Sequence, residues 1–211
     1  MNDDREAILS RVRGALAPLR ERAALPTYDS EVAVMRGLIA GRDLVELFCE
    51  RARRVGAVAL SDPAALVARL RAESRFRGYC DPVLWPRLAP YFAGGDFQVE
   101  VTFDRTRVDD YGFGITRAAA AIAESGTIVL NDTTTSTRLA ALAPWVHVAV
   151  VARDAIFSDI SQAVAALGHD RNVVWCTGPS KTADVEGILI EGVHGPGTQI
   201  ALVVDWESSG L

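Results

Sequence analysis

The sequence predicts an α/β protein: a single domain with a largely parallel sheet flanked by helices, carrying a helical N-terminal extension. Two observations predict it. Apolar runs such as VHVAVVA (146–152) and QIALVVD (199–205) are continuous in Val, Ile and Ala rather than alternating, as strands buried on both faces are. Helical segments with capping residues lie between such runs, and that alternation builds parallel sheets. A chain of 211 residues with 49% hydrophobic and 23% charged residues can bury a core of its own.

In chain order, residues 3 to 17 place Ile8, Leu9, Val12 and Leu16 at helical spacing, and Pro18 stops that helix. A loose connection broken by Pro18, Pro26 and Gly41 follows. Residues 1–41 are therefore read as a helical arm and connection, and 42–211 as the α/β domain. DLVELFCERARRVG (43–56) reads as an amphipathic helix and AVALS (57–61) as a short strand. DPAALVARLRAES (62–74) reads as a helix capped by Ser61 or Asp62, with Pro63 in its first turn. PVLWPRLAPYF is a short, irregular helix because Pro86 and Pro90 interrupt it. FQVEVTF (97–103) alternates as a half-buried strand, and AAAAIAESGTIVLND gives two apolar runs meeting at a tight turn over Glu124-Ser125-Gly126. NVVWCTG (172–178) and GILIEGV (187–193) read as further buried strands, and SDISQAVAALG (158–168) as a helix ended by Gly168.

Bulk chemistry excludes several classes. A net charge of −5 and a pI near 5.2 oppose broad electrostatic binding to nucleic acid. Cys49, Cys80 and Cys176 are far apart, which suits reduced thiols better than a disulfide set. Iron–sulfur clusters ordinarily take four thiolates, so this chain alone is expected to hold no cofactor of that kind. No His or Cys spacing suggests a metal. The charged, helical N-terminus and the lack of an apolar run near 20 residues suggest a cytoplasmic protein with no membrane span.

Candidate site residues fall in two blocks. In GFGITRAAAAIAESGTIVLNDTTTSTRLAAL (112–142), Gly112 and Gly114 permit unusual backbone, Thr116 can cap a helical turn, and Gly126 permits a sharp turn after Glu124. The polar run Asn131 to Thr137 follows a strand and precedes a helix, where open α/β sheets present ligand-contacting loops; taken alone it reads rather as a Ser/Thr-rich N-cap region. The second block, TGPSKTADVEGILIEGVHGP (177–196), contains Lys181, the only lysine among 22 Lys and Arg. Backbone N–H groups there, with Gly178, Ser180, Lys181 and Thr182, can hold a carboxylate or phosphate ahead of a helical turn at 183–186. Alternatively Asp184 and Glu186 pair with Lys181 or nearby arginines and fix the loop. It is not a Walker loop, because GxxxxGK[ST] is absent. His194, between glycines, can serve as acid, base or hydrogen-bond donor, or be structural. His147 and His169 are assigned no role.

The segments IAESGTIVL and TGPSKTADVEGILIEGVHGP, in this order and with VHVAVV between them, resemble the LUD domain of bacterial lactate utilization protein C. The likeness covers residues 97–205 best. It implies a fold like that of CoA transferases and ribose-phosphate isomerases. It also implies an accessory role beside iron–sulfur lactate-oxidation subunits that convert L-lactate to pyruvate, with the clusters in those partners. The family often has arginine where Lys181 stands, so either cation serves. At 117–121 the chain reads Arg-Ala-Ala-Ala-Ala where such proteins tend to carry polar residues. The ligand-facing residues implied are Glu124, Ser125, Gly126, Thr127, Gly178, Ser180, Lys181, Thr182, Asp184 and His194. A second reading is an enzyme in its own right, with Glu124 the carboxylate nucleophile of acyl-CoA chemistry, the turn resembling the Glu-x-Gly turn of CoA transferases. A third is a small-anion binding module without turnover.

Overall fold

The structure is a computed structural model that describes residues 2–19, 34, 36–168, 172–183 and 187–206. It divides into two compact units, Met1–Leu38 and Ile39–Leu211. In the first, helix α1 (Asn2–Leu16) ends before Pro18 and exposes Ile8, Val12 and Leu16 along one face.

The second unit is built on a six-stranded parallel sheet. Its strands are β1 (Val58–Leu60), β2 (Arg77–Cys80), β3 (Gln98–Glu100), β4 (Phe113–Arg117), β7 (Val146–Ala152) and β12 (Thr198–Val204). The order is β1-β12-β7-β4-β2-β3. Every residue of β7 is buried, as its Val- and Ala-rich run predicts, His147 included. Helix α2 (Leu44–Arg54) starts at Asp43, whose carboxylate accepts the Glu46 N–H at 2.9 Å. Helix α3 (Pro63–Ala72) is capped by Asp62 rather than Ser61, through the Ala64 N–H. Helix α4 (Trp85–Leu88) runs directly into a 3-10 turn at Ala89–Phe92, the irregularity that the two prolines foretell.

The two faces of this sheet are covered differently. On one, Leu66, Val67 and Leu70 of α3 and Leu88 of α4 pack with Phe92 against Ile115, Val148 and Leu202. Burying a side chain of this kind completely contributes roughly 1.5–3 kcal/mol. On the other face Leu47, Phe48 and Ala52 of α2 share a core with Ile128, Leu130 and Ile156, which belong to a second sheet. That sheet, β8-β5-β6-β9, contains β5 (Ala120–Ile122), β6 (Thr127–Asn131), β8 (Ile156–Phe157) and β9 (Val173–Cys176). β5 and β6 form the predicted antiparallel pair, with Gly126 N–H donating to the Ile122 carbonyl at 2.9 Å. Helix α5 (Arg138–Leu142) lies between the polar run and β7. Helix α6 (Ile160–Leu167) covers the outer side of the second sheet through Ala163.

Several expectations are corrected. β2 has no counterpart in the sequence reading, because a four-residue RGYC run carries too little pattern. The strand expected over 97–103 is confined to Gln98–Glu100, after which the chain turns into a 3-10 segment at Arg105–Asp110. NVVWCTG forms β9, but as a sheet edge with Trp175 exposed. GILIEGV is not buried: Ile188 and Leu189 are exposed, and only Ile190–Glu191 form a strand, β11, paired with β10 (Lys181–Thr182). Thr116 caps no helix; it lies within β4, fully buried.

The Thr116 hydroxyl is 2.9 Å from Nε2 of His147, whose Nδ1 is about 3 Å from the Gln199 amide. These three side chains, from adjacent strands, form a closed polar triad in an apolar layer, and each is satisfied by the others. Burial pushes the His147 imidazole down to about 4, with the Gln199 bond opposing. The unfolded chain therefore binds this proton more tightly than the native protein. Stability from this site is complete above about pH 6.5 and falls as pH drops toward 4, by on the order of 3 kcal/mol. Urea titrations at pH 7 and pH 4.5 should show that loss in the native sequence and a smaller one in His147→Gln; equal losses would locate the acid sensitivity elsewhere.

Candidate functional site

The two sequence blocks converge on one helix. Gly126, with φ +71°, lies so close to α2 that a Cβ there would strike the backbone of Arg51 and Ala52. Gly178, with φ +78°, meets the Val55 carbonyl at the C-terminal end of the same helix just as closely. Between them runs a line of hydroxyls: Ser125 Oγ is 2.7 Å from Thr127 Oγ1, which is 2.8 Å from Thr177 Oγ1. The first motif is thus joined to the second, and Thr177 brings the line to the surface.

Glu124 turns away from this line. Its carboxylate accepts the Ile160 N–H at 3.2 Å, at the start of α6, whose N-cap Asp159 accepts the Gln162 N–H. Acylation of Glu124 would leave a neutral carbonyl in place of the carboxylate and so weaken that bond. Lys181 is likewise engaged. Its Nζ lies 3.3 Å from Glu191, the residue directly opposite it in the β10–β11 pair, and donates to the Val55 carbonyl at 3.5 Å. The lysine therefore brings a positive charge to the carbonyl end of α2, where the helix dipole favours one, and either lysine or arginine can supply it. Its partner is Glu191; Asp184 and Glu186, with the expected turn between Ala183 and Glu186, lie outside the described residues, as does His169. Thr182 is the second residue of β10.

Ser180 is tied at both backbone groups, its N–H donating to the Pro196 carbonyl and its carbonyl accepting the Gly192 N–H, each at 2.9 Å. This closes the glycine-rich loop around Trp145. A Cβ on Gly192 or Gly197 would come within 2.8 Å of the indole ring, so the glycines let the loop lie flat on it. His194 projects from this loop into solvent.

The second motif and its loop gather at the amino ends of β1 and β7. The carboxyl ends of the sheet hold a feature that sequence reasoning missed. β2 connects toward β3, whereas β4 connects toward β7, so the crevice between β2 and β4 is where the strand order reverses. Asp81, the residue after β2, is fully buried there, and Arg117, the last residue of β4, donates from Nε to its carboxylate at 2.9 Å. The second carboxylate oxygen accepts the Val83 N–H. Arg117 thus makes a polar contact inside an alanine-rich stretch. The polar run Asn131–Thr137 folds over this point: Thr135 donates its hydroxyl to the Arg117 carbonyl at 3.0 Å, and Ser136 Oγ is 2.8 Å from the Tyr79 hydroxyl. No spacing rule links Asp81, Arg117 and Thr135, which are brought together only by strand order.

The cysteines are held as thiols. Burial pushes Cys176 up to about 11 and raises Cys49 and Cys80 as well. Among the described residues no helix is long and apolar enough to cross a membrane.

A parallel sheet with a small second sheet on one face, bound to a common helix by two glycine-bearing turns, defines an α/β protein whose sequence motifs are packing elements as much as site elements. Residues 86–204, which include both motifs, match the LUD domain, and the chain belongs to that family. It is 32% identical over 121 residues to lactate utilization protein C of Bacillus licheniformis, covering 54% of this chain and 48% of that protein. It is 37% identical over 95 residues to lactate utilization protein C of Deinococcus radiodurans, covering 43% and 45% respectively. These matches span about half the length of the curated relatives. The crystal structure of a DUF162 family protein from Deinococcus radiodurans is similar with a TM-score of 0.56 and 26% identity, over 76% of this chain and 96% of that one.

Proposed function

We propose that this chain serves lactate utilization as an accessory subunit of a cytoplasmic iron–sulfur protein system that oxidises L-lactate to pyruvate. The observation that carries the reading is the family match across both motifs, together with curated relatives at 31–38% identity that bear the name lactate utilization protein C. The electrons of lactate oxidation then pass through clusters in partner proteins, one a cysteine-rich glycolate-oxidase-like subunit and one ferredoxin-like. This chain holds no cofactor of its own, in keeping with three separate thiols kept protonated by burial. Its part is to bind: a partner, a small anion, or both. The engagement of Glu124 at α6 and of Lys181 at α2 favours this over acyl-CoA transfer at the Glu-Ser-Gly turn.

A clean deletion in the native organism is expected to abolish growth on L-lactate as sole carbon source, with growth restored by the gene in trans. Tagged protein drawn anaerobically from lactate-grown cells is expected to bring down proteins containing iron and acid-labile sulfide. Unchanged growth of the deletion strain on lactate would overturn the assignment.

A further inference from the structure

The loop over the strand-order reversal, tied down through Thr135 and Ser136, borders a cavity of about 440 Å³, lined among others by Arg105, Ser136, Thr137, Arg138, Leu139 and Leu142. Neighbouring arginines are committed elsewhere. Arg107 binds Glu100 and Asp104, and Arg77 binds Glu100 and Asp110. Arg105, on the same 3-10 segment, makes no ion pair among the described residues. Arg138 is steadied by one carboxylate oxygen of Asp132 at 2.9 Å, and Asn172 donates to the other at 2.6 Å. Two arginines against one aspartate leave this cavity positive in a chain of net charge −5.

The geometry points to this cavity as a binding site for an organic oxyanion, a carboxylate or phosphate ester, on a body larger than a three-carbon acid. Guanidinium groups bind either oxyanion with paired, charge-assisted hydrogen bonds, and the Ser136 and Thr137 hydroxyls add donors at the rim. Leu139 and Leu142 give the other end of the ligand an apolar surface. The cavity is open to solvent on one side, and its volume lies within the range of ligand pockets and exceeds what lactate or pyruvate would fill. The location follows the general rule for open α/β sheets, in which ligands sit beyond the carboxyl ends of the strands at the reversal. Under the mouth, Thr135 and the Asp81–Arg117 pair hold the loop that carries Ser136, Thr137 and Arg138 in place. This site does not rest on the lactate assignment, and Lys181 is not among the residues that line it.

The test is calorimetric titration of the full chain at low ionic strength with four probes: L-lactate, inorganic phosphate, ribose 5-phosphate and phenylacetate. Ribose 5-phosphate or phenylacetate is expected to bind at least about tenfold more tightly than L-lactate and inorganic phosphate, and which of the two does so separates a phosphate ester from a carboxylate. Arg105→Gln and Arg138→Gln should each weaken that binding about tenfold. Arg105 is exposed and makes no ion pair among the described residues, so Arg105→Gln should leave the melting temperature in place and separate lost binding from lost folding. The proposal is overturned if none of the probes binds up to about 10 mM. It is equally overturned if binding survives both substitutions, or if the small probes bind as well as the large ones. Failure of lactate-dependent growth to respond to the deletion would leave these titrations unaffected.

Discussion

Gly126→Ala is expected to destabilise the fold by about 3 kcal/mol or more, enough to remove much of the margin of a typical domain. Two costs combine. A left-handed backbone, here φ +71°, costs a non-glycine residue about 1–2 kcal/mol. The added methyl also strikes main-chain atoms of Arg51 and Ala52, its ideal position lying only 2.7 Å from the Ala52 Cα. Main chain in a packed helix, here the last turn of α2, cannot step aside as a flexible side chain can. Gly95→Ala is the matched control: its φ of +78° is similar, and nothing lies within 4 Å of the added atom. Urea denaturation should therefore show Gly95→Ala losing about 1 kcal/mol and Gly126→Ala clearly more. Equal losses would mean that α2 can retreat from the turn, and the close approach would then have no role in stability.

Arg117→Leu is expected to cost about 3 kcal/mol, because it strands the fully buried Asp81 carboxylate with the Val83 N–H as its remaining partner. The pair itself contributes far less than that loss suggests, since bringing both charges out of water offsets most of their attraction. A double-mutant cycle distinguishes the two quantities. Adding Asp81→Asn to Arg117→Leu removes the stranded charge, keeps an acceptor for Val83, and should recover a substantial part of the stability. If Arg117→Leu alone costs under about 0.5 kcal/mol, water or a rearranged neighbour satisfies Asp81, and the crevice floor can adapt to the loss of the arginine.

The sequence announces what local pattern controls. The Val- and Ala-rich runs of β7 and β12, a cap for α3 at one of the two residues expected, the β5–β6 turn and the glycine after α6 follow from spacing and residue type, and the structure has them. Burial is a property of what lies opposite, and there local pattern misleads. GILIEGV has the composition of an inner strand, yet pairs only through Ile190 and Glu191 with a two-residue partner, leaving Ile188 and Leu189 exposed. The candidate site divides in the same way. The glycines and hydroxyls of the two motifs stand out in the chain, but that Gly126 and Gly178 press on one helix depends on tertiary packing. The Asp81–Arg117 pair joins residues 36 apart, with no motif around either.

The strand order also sets a timetable for synthesis. β1 is an edge strand whose sheet partner is β12, so Leu60 must wait for Leu202 before its ladder can form. As the chain emerges from the ribosome, β2, β3, β4 and β7 can assemble as a four-stranded sheet while β1, with α2 and α3 on either side of it, has no strand to join. β12 then has to enter between β1 and β7 as the closing piece, which leaves two apolar strand edges open until residues 198–204 have emerged. A ribosome stalled just short of residue 198 should accordingly display a nascent chain with protected amides in β4 and β7 and exchanging amides in β1.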